Sequence, residues 1–153
     1  MPDRVFRARD KENIYKDLVE KENSPFHTYK DVFLAAACIG FNNSIREPLS
    51  QKGSEILWSY FSKDESSVAM VYSLALAATN DLNILLDCEE MSKLRFQIFE
   101  EYANGGINIL KELILDPPGD PLDHYINYIF EVGIDNTCYE RGLLERIADD
   151  LDF

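Results

Sequence analysis

Two apolar runs of helix length constrain this fold more than any other feature of the sequence. They are VFLAAACIGF, residues 32–41, and SSVAMVYSLALAAT, residues 66–79. A helix without a continuous polar face normally lies at the centre of its domain. Neither run reaches the roughly 18 apolar residues that cross a bilayer, so we expect no membrane span. The pattern predicts an all-α fold, a compact single-domain bundle of about six to seven helices with two apolar central helices.

The surrounding segments are typical of amphipathic helices. Asp10–Glu22 carries an apolar stripe among opposite charges, and Thr28 is placed to cap the first apolar run. Gly40 or Asn42 is a candidate for the end of that run. EILWSYF, residues 55–61, is interpreted as a short helix or an irregular packed segment, because a single strand would have no partner.

A pair of glycines, Gly105 and Gly106, interrupts a further helical pattern between residues 89 and 114. Glycine inside a helix costs about 1 kcal/mol relative to alanine. The sequence therefore predicts that the glycines end one helix and begin another. The DPPGDP turn, residues 116–121, precedes a last amphipathic helix. We expect a helical core domain over residues 1–132 and an acidic C-terminal extension over 133–153, with a short helix near 139–147.

Charge is distributed unevenly along the chain. The net charge is −13, yet residues 1–60 carry nine basic and nine acidic residues, and residues 61–153 carry six and nineteen. Such a surface repels nucleic-acid phosphates. The N-terminus lacks the apolar core of a signal peptide, and the three cysteines are far apart in sequence. These features predict a cytoplasmic protein without a disulfide framework.

Motifs that carry catalysis or bind cofactors are missing from the sequence. It contains no phosphate-binding loop, dinucleotide fingerprint, zinc-protease helix or nucleophile elbow. His124 lies near Asp120 and Asp123, but a metal site generally needs more ligands than these. We expect no catalytic residue, no cofactor and no metal, and hence a protein that is not an enzyme.

Several segments between residues 10 and 131 occur in a characteristic order: PFHTYKDVFLAAACIGF, REPL, ALAATNDLNIL, IFEEYANGGINIL and DPPGDPLD. Together they resemble the DNA phosphorothioation (Dnd) system-associated protein 4 family. The resemblance implies a bacterial protein encoded beside DNA sulphur modification and restriction genes, with a role in anti-phage defence. It implies no reaction.

Two classes of function stay open at this point. The first is a non-enzymatic accessory subunit that docks on a larger protein of the modification or restriction system. Its candidate interface residues are Tyr102, Asn104, Gly105, Gly106 and Asp120, although the glycines also suit a purely structural role. The weaker alternative is a DNA-binding or DNA-sensing module that uses Arg4, Arg7, Arg9 and Arg46. A further alternative, beside these two classes, is an acidic regulator that mimics DNA and blocks a nuclease. The sequence does not indicate an oligomeric state.

Overall fold

The computed structural model describes residues 2–133 of the chain. The strands and helices in chain order are β1 (Arg4–Ala8), α1 (Glu12–Glu20), α2 (Tyr29–Asn42), β2 (Lys52–Leu57), α3 (Trp58–Ser62), α4 (Glu65–Thr79), α5 (Glu89–Leu110) and a last helical stretch, residues 121–133, called α6 here. Short 3-10 turns cover Arg9–Lys11 and Leu82–Leu85, and a π-helical turn, Lys111–Leu115, extends α5. The predicted compact, mostly α-helical fold is confirmed.

The core is organised around α2 and α5, which pack against each other along their lengths. Phe33 of α2 meets Phe99 of α5 edge to face, with ring centroids 4.9 Å apart, and Phe61 of α3 packs against both rings. Such aromatic pairs add to the stabilisation that burial of their apolar area provides. Both apolar runs form helices as predicted. However, α4 buries only one face, through Ser67, Val71, Leu74 and Ala75.

The predicted helix break at the glycines is wrong, because α5 continues through Gly105 and Gly106 without interruption. A Cβ atom on Gly106 would lie 1.7 Å from the carbonyl oxygen of Ala36, and one on Gly40 would lie 2.1 Å from that of Tyr102. The glycines thus allow the backbones of α2 and α5 to approach more closely than any side chain permits. Gly40 is likewise inside α2, which ends at Asn42.

A two-stranded antiparallel sheet closes one side of the helical core. β1 pairs with β2 in the register Val5 to Ile56 and Phe6 to Glu55, with an irregularity before Ala8 and Lys52. The sequence did not predict this sheet, because the two strands are separated by more than forty residues. The prediction for residues 55–61, a short helix or an irregular packed segment, is wrong for residues 55–57, which belong to β2, whereas the rest of the segment is helical in α3.

The predicted acidic extension and its short helix near 139–147 lie outside the described residues, apart from Gly133. The division at residue 132 stays a prediction.

Candidate partner-binding surface

The loop that contains REPL packs directly on the part of α5 that contains the glycines. The backbone N–H of Glu47 donates to the carbonyl of Glu101 at 3.0 Å, and the side-chain amide of Asn104 donates to the carbonyls of Glu47 and Pro48 at 3.1 and 3.2 Å. A Cβ atom on Gly105 would lie 2.3 Å from the carbonyl oxygen of Ile45. Two of the segments that carry the family resemblance therefore meet in one joint, called the loop–α5 joint here.

A buried lysine completes the loop–α5 joint. The Nζ atom of Lys11, on the turn after β1, donates to a carboxylate oxygen of Glu47 and to the carbonyl of Asn104, both at 2.8 Å. Asn104 itself is 4% exposed, and its Oδ1 atom has no hydrogen-bond partner among the described residues. Asn104 joins the loop to the helix through the two hydrogen bonds of its Nδ2 atom, and its Oδ1 atom is an exception to the rule that buried polar groups are hydrogen-bonded.

The structure separates the five candidate interface residues into two groups. Asn104, Gly105 and Gly106 are buried between α5, α2 and the loop. They have structural roles, and a partner would reach them only if the joint opened. Tyr102 is half-buried and contacts the ring of Phe41, with centroids 5.4 Å apart. Asp120 caps α6, since its Oδ1 atom accepts from the N–H of Leu122 at 2.8 Å. Binding of a partner by Tyr102 and Asp120 stays a prediction.

Two of the four arginines proposed for DNA contact are paired with carboxylates. Arg4 contacts Glu55 at 2.7 Å and Asp3 at 2.8 Å. The Nε atom of Arg46 lies 2.5 Å from Oε2 of Glu101. In each pair the carboxylate offsets the positive charge of the arginine, and binding of a phosphate at that position would require this charge.

The other two arginines have different surroundings. The guanidinium of Arg7 lies over the ring of Tyr29 at 4.1 Å and near that of Tyr15 at 5.8 Å, and its Nε atom is buried. Arg9 is exposed and, within residues 2–133, forms no side-chain ion pair. The four arginines do not form an exposed basic patch, so the structure provides little support for DNA contact.

A buried carboxyl group, Glu100, lies where α5 meets the sheet. Burial raises the pKa of Glu100, whereas the backbone N–H of Phe6, 2.9 Å from its Oε1 atom, and the nearby Lys52 act to lower it. Glu100 also lines an open cavity of about 520 Å3 together with Lys52, Lys93 and Phe96. Its neighbour Glu101 is held by Arg46 and Gln97. The Glu100 carboxylate binds the free edge of β1, a structural role.

The residues that could hold a metal are dispersed. Within residues 2–133, no three His, Cys, Asp or Glu side chains come together as ligands would. His124 lies 3.1 Å from the carbonyl of Pro118 through its Nε2 atom. Burial raises the pKa of the Cys38 thiol, and Cys88 is exposed.

None of the helices in the described part of the chain combines the length and apolar character of a membrane span.

Exposed apolar side chains gather in two places on the surface. One is the face of α6 that carries Leu122, Ile126, Ile129 and Phe130. The other is the turn Leu82–Leu86, called the leucine turn here. Leu82 is 74% exposed and Leu86 is 55% exposed, whereas Ile84 between them is 1% exposed. The sequence does not reveal this surface, because a run of leucines and isoleucines in a short turn gives no sign of which side chains face solvent.

The leucine turn is held from below by a buried arginine. Arg95 of α5 is 2% exposed, and its Nη1 atom donates to the carbonyls of Ile84 and Leu86 at 2.5 and 3.0 Å. Its Nη2 atom donates to Ser92, and the guanidinium lies 4.4 Å from the ring centroid of Tyr72. The backbone of the turn is therefore anchored while its leucines face outward.

Comparison with known proteins agrees with the resemblance seen in the sequence. No curated protein and no solved structure gives a significant match. The family described as DNA sulphur modification system-associated protein 4 matches residues 4–135, which include both strands, the loop–α5 joint and the leucine turn. This match covers most of the chain, and the protein belongs to the DNA sulphur modification system-associated protein 4 family.

Proposed function

We propose that this protein is a non-enzymatic accessory subunit of a bacterial DNA phosphorothioation-linked modification and restriction system. It acts in the cytoplasm, in anti-phage defence, by docking on a larger protein subunit of that system. The observation that carries the proposal is an anchored apolar surface, the leucine turn, on a member of a family associated with DNA sulphur modification. Exposed apolar clusters of this kind mark interaction sites more often than chance.

The use of the buried polar groups supports a role without catalysis. Glu100 binds the edge of β1, Lys11 and Asn104 join the loop to α5, and Arg95 anchors the leucine turn. A catalytic acid or base must have its proton-transferring atom free to reach a bound substrate. The buried groups here are instead hydrogen-bonded to parts of the fold.

Electrostatics favour a protein partner over nucleic acid. The chain carries a net charge of −13, and Arg4 and Arg46 are neutralised by carboxylates. The DNA-sensing alternative requires these arginines to exchange their carboxylate partners for phosphates. The DNA-mimic alternative uses the acidic excess of residues 61–153 and also requires a protein partner.

A pull-down of the tagged full chain from its native host, at moderate salt and after nuclease treatment, tests the proposal. We expect a subunit encoded by the DNA sulphur modification or restriction genes to copurify in a fixed ratio. The reciprocal pull-down, with the tag on that subunit, is the control. Recovery of none of these subunits contradicts the proposal.

A gel-shift assay with duplex DNA at about 50 mM salt separates the alternatives, because binding through phosphates strengthens steeply as salt falls. The docking proposal expects no shift. A shift that disappears in the Arg9→Ala variant favours the DNA-sensing module. Competition between duplex DNA and this protein for the copurified subunit favours the DNA mimic.

A further inference from the structure

The leucine turn exposes several apolar side chains to solvent, which a turn that only connects two helices does not require. Ile84 is buried between α4 and α5 and is sufficient to anchor the turn to the core. Leu82, Leu85 and Leu86 are exposed by 74%, 37% and 55% and are not part of the buried core cluster. Scattered single leucines on a surface are ordinary, whereas here three of five consecutive residues are exposed leucines.

The shape of the leucine turn is set before any partner arrives. The Asp81 carboxylate accepts from the N–H of Asn83 at 3.0 Å, and the N–H of Cys88 donates to the carbonyl of Leu86 at 3.0 Å. Arg95 binds two carbonyls of the turn from the core and forms no ion pair among the described residues. Burial of an arginine without a carboxylate is costly, and here it holds the backbone of an exposed turn. A preorganised turn loses little conformational entropy on binding.

The rim of the leucine turn is negatively charged. Asp81, Asp87, Glu89 and Glu90 are all exposed. Lys93 is the only basic residue between positions 79 and 94, and it lies 2.7 Å from Glu89. An apolar centre with a charged rim is the usual arrangement of a protein–protein interface, in which the rim sets the association rate and the partner's charge.

We infer that the leucine turn is the docking site, and that its occupant is a protein surface with an apolar pocket rimmed by lysine and arginine. The inference rests on the proposed function, because it takes a larger subunit of the DNA sulphur modification system as that occupant. A second copy of this chain is unsuitable, since a symmetric dimer through the turn would bring two acidic rims together. Nucleic acid and anionic lipid are unsuitable for the same electrostatic reason.

The test measures binding of the purified full chain to each purified larger subunit of the host's DNA sulphur modification system by biolayer interferometry. The variant combines Leu82→Ser with Leu86→Ser. If both leucines enter the partner's pocket, we expect affinity to fall about 30-fold or more, as for central interface residues. The thermal melt of the variant should match the wild type, because both side chains are exposed.

A matched control combines Ile129→Ser with Phe130→Ser on α6, where the side chains are 52% and 66% exposed. This variant should bind like the wild type. A third variant, Asp87→Asn with Glu90→Gln, should associate more slowly and lose part of the salt dependence of the association rate, since it removes rim charges.

The outcomes separate the docking site from the proposed function. If a subunit binds the wild type and the Leu82→Ser, Leu86→Ser variant equally well, the docking site is wrong and the proposed function stands. Loss of binding in the α6 variant alone moves the site to α6 and overturns the inference. If none of the subunits binds the wild type, both the inference and the proposed function fail.

Discussion

The loop–α5 joint and the leucine turn are both held by side chains of α5, yet their exposure to solvent is opposite to what their residue types would suggest. The joint buries a lysine, an asparagine and two glycines, whereas the turn exposes three leucines. The polar groups of the joint are used within the fold, through short hydrogen bonds to backbone carbonyls. The leucines of the turn lie outside the buried core cluster. The residues of the joint stand out in the sequence, yet they stabilise the fold. The leucine turn does not stand out in the sequence, yet it is the better candidate for function.

The largest expected effect comes from adding one methyl group to the crossing of α2 and α5. In Gly106→Ala, the new Cβ would overlap the backbone carbonyl of Ala36, which no side-chain rearrangement relieves. We expect a loss of about 3 kcal/mol or more in the free energy of unfolding, measured by urea denaturation. The control is Ala77→Gly on the exposed face of α4, which should cost about 1 kcal/mol. Equal losses in the two variants would show that the close approach of the helices is unimportant.

Arg95→Met separates the two regions, because it should weaken the hydrogen bonding of the leucine turn and leave the loop–α5 joint intact. The variant keeps most of the side-chain volume but leaves the carbonyls of Ile84 and Leu86 without their donor. We expect a loss of about 2 kcal/mol in stability. Amide hydrogen exchange should accelerate within residues 82–88 more than within residues 101–106. Arg95→Lys serves as the control, since it keeps the charge but not the planar fork, whose Nη1 atom binds both carbonyls while Nη2 binds Ser92. Uniform acceleration along α5 would argue against a local anchoring role.

Lys11→Met tests the joint itself at a moderate cost. The carbonyl of Asn104 loses its charged donor, while the half-exposed Glu47 carboxylate regains water. We expect a loss of about 1–2 kcal/mol in stability. Lys16→Met, on the exposed side of α1, should change stability by less than about 0.5 kcal/mol. A neutral Lys11→Met result would mean that the loop is held by the Asn104 amide alone.

The smallest effect concerns the pH dependence of stability at Glu100. Because burial raises the folded-state pKa of this carboxyl above its ordinary value of 4.5, the folded protein binds the proton more tightly than the unfolded chain. The contribution of Glu100 is therefore greatest at low pH and is lost as pH rises through the raised pKa. In Glu100→Gln this loss is absent. The stability of the variant relative to wild type should increase from about pH 4 to pH 7. A constant difference across that range would contradict the raised pKa.

Much of the fold could be predicted because its signals are local. Periodicity and end signals placed the helices, and the Thr28 cap is present, with its Oγ1 atom accepting from the N–H of Asp31 at 3.2 Å. The cap of α4 is also a local signal, because Asp64 directly precedes the helix and its carboxylate accepts from the N–H of Ser66 at 3.1 Å. The sheet was missed because pairing between Val5 and Ile56 depends on which distant segments the helices bring together.

The candidate surface was less predictable than the fold. Asn104, Gly105 and Gly106 were chosen for their unusual composition, and the structure buries all three. The leucine turn has no composition that distinguishes it from a core segment, so only the tertiary position of Ile84 and Arg95 shows which side chains face solvent.

The sequence by itself determined the class of fold and the family, because hydrophobic period, caps and characteristic segments are properties of neighbouring residues. Tertiary structure alone decided the meaning of the two glycines. A glycine pair in a helix is a weak point when the helix is considered in isolation. Against another backbone it becomes the only residue type that fits, and the packing of α2 on α5 offsets the local cost of keeping the helix continuous.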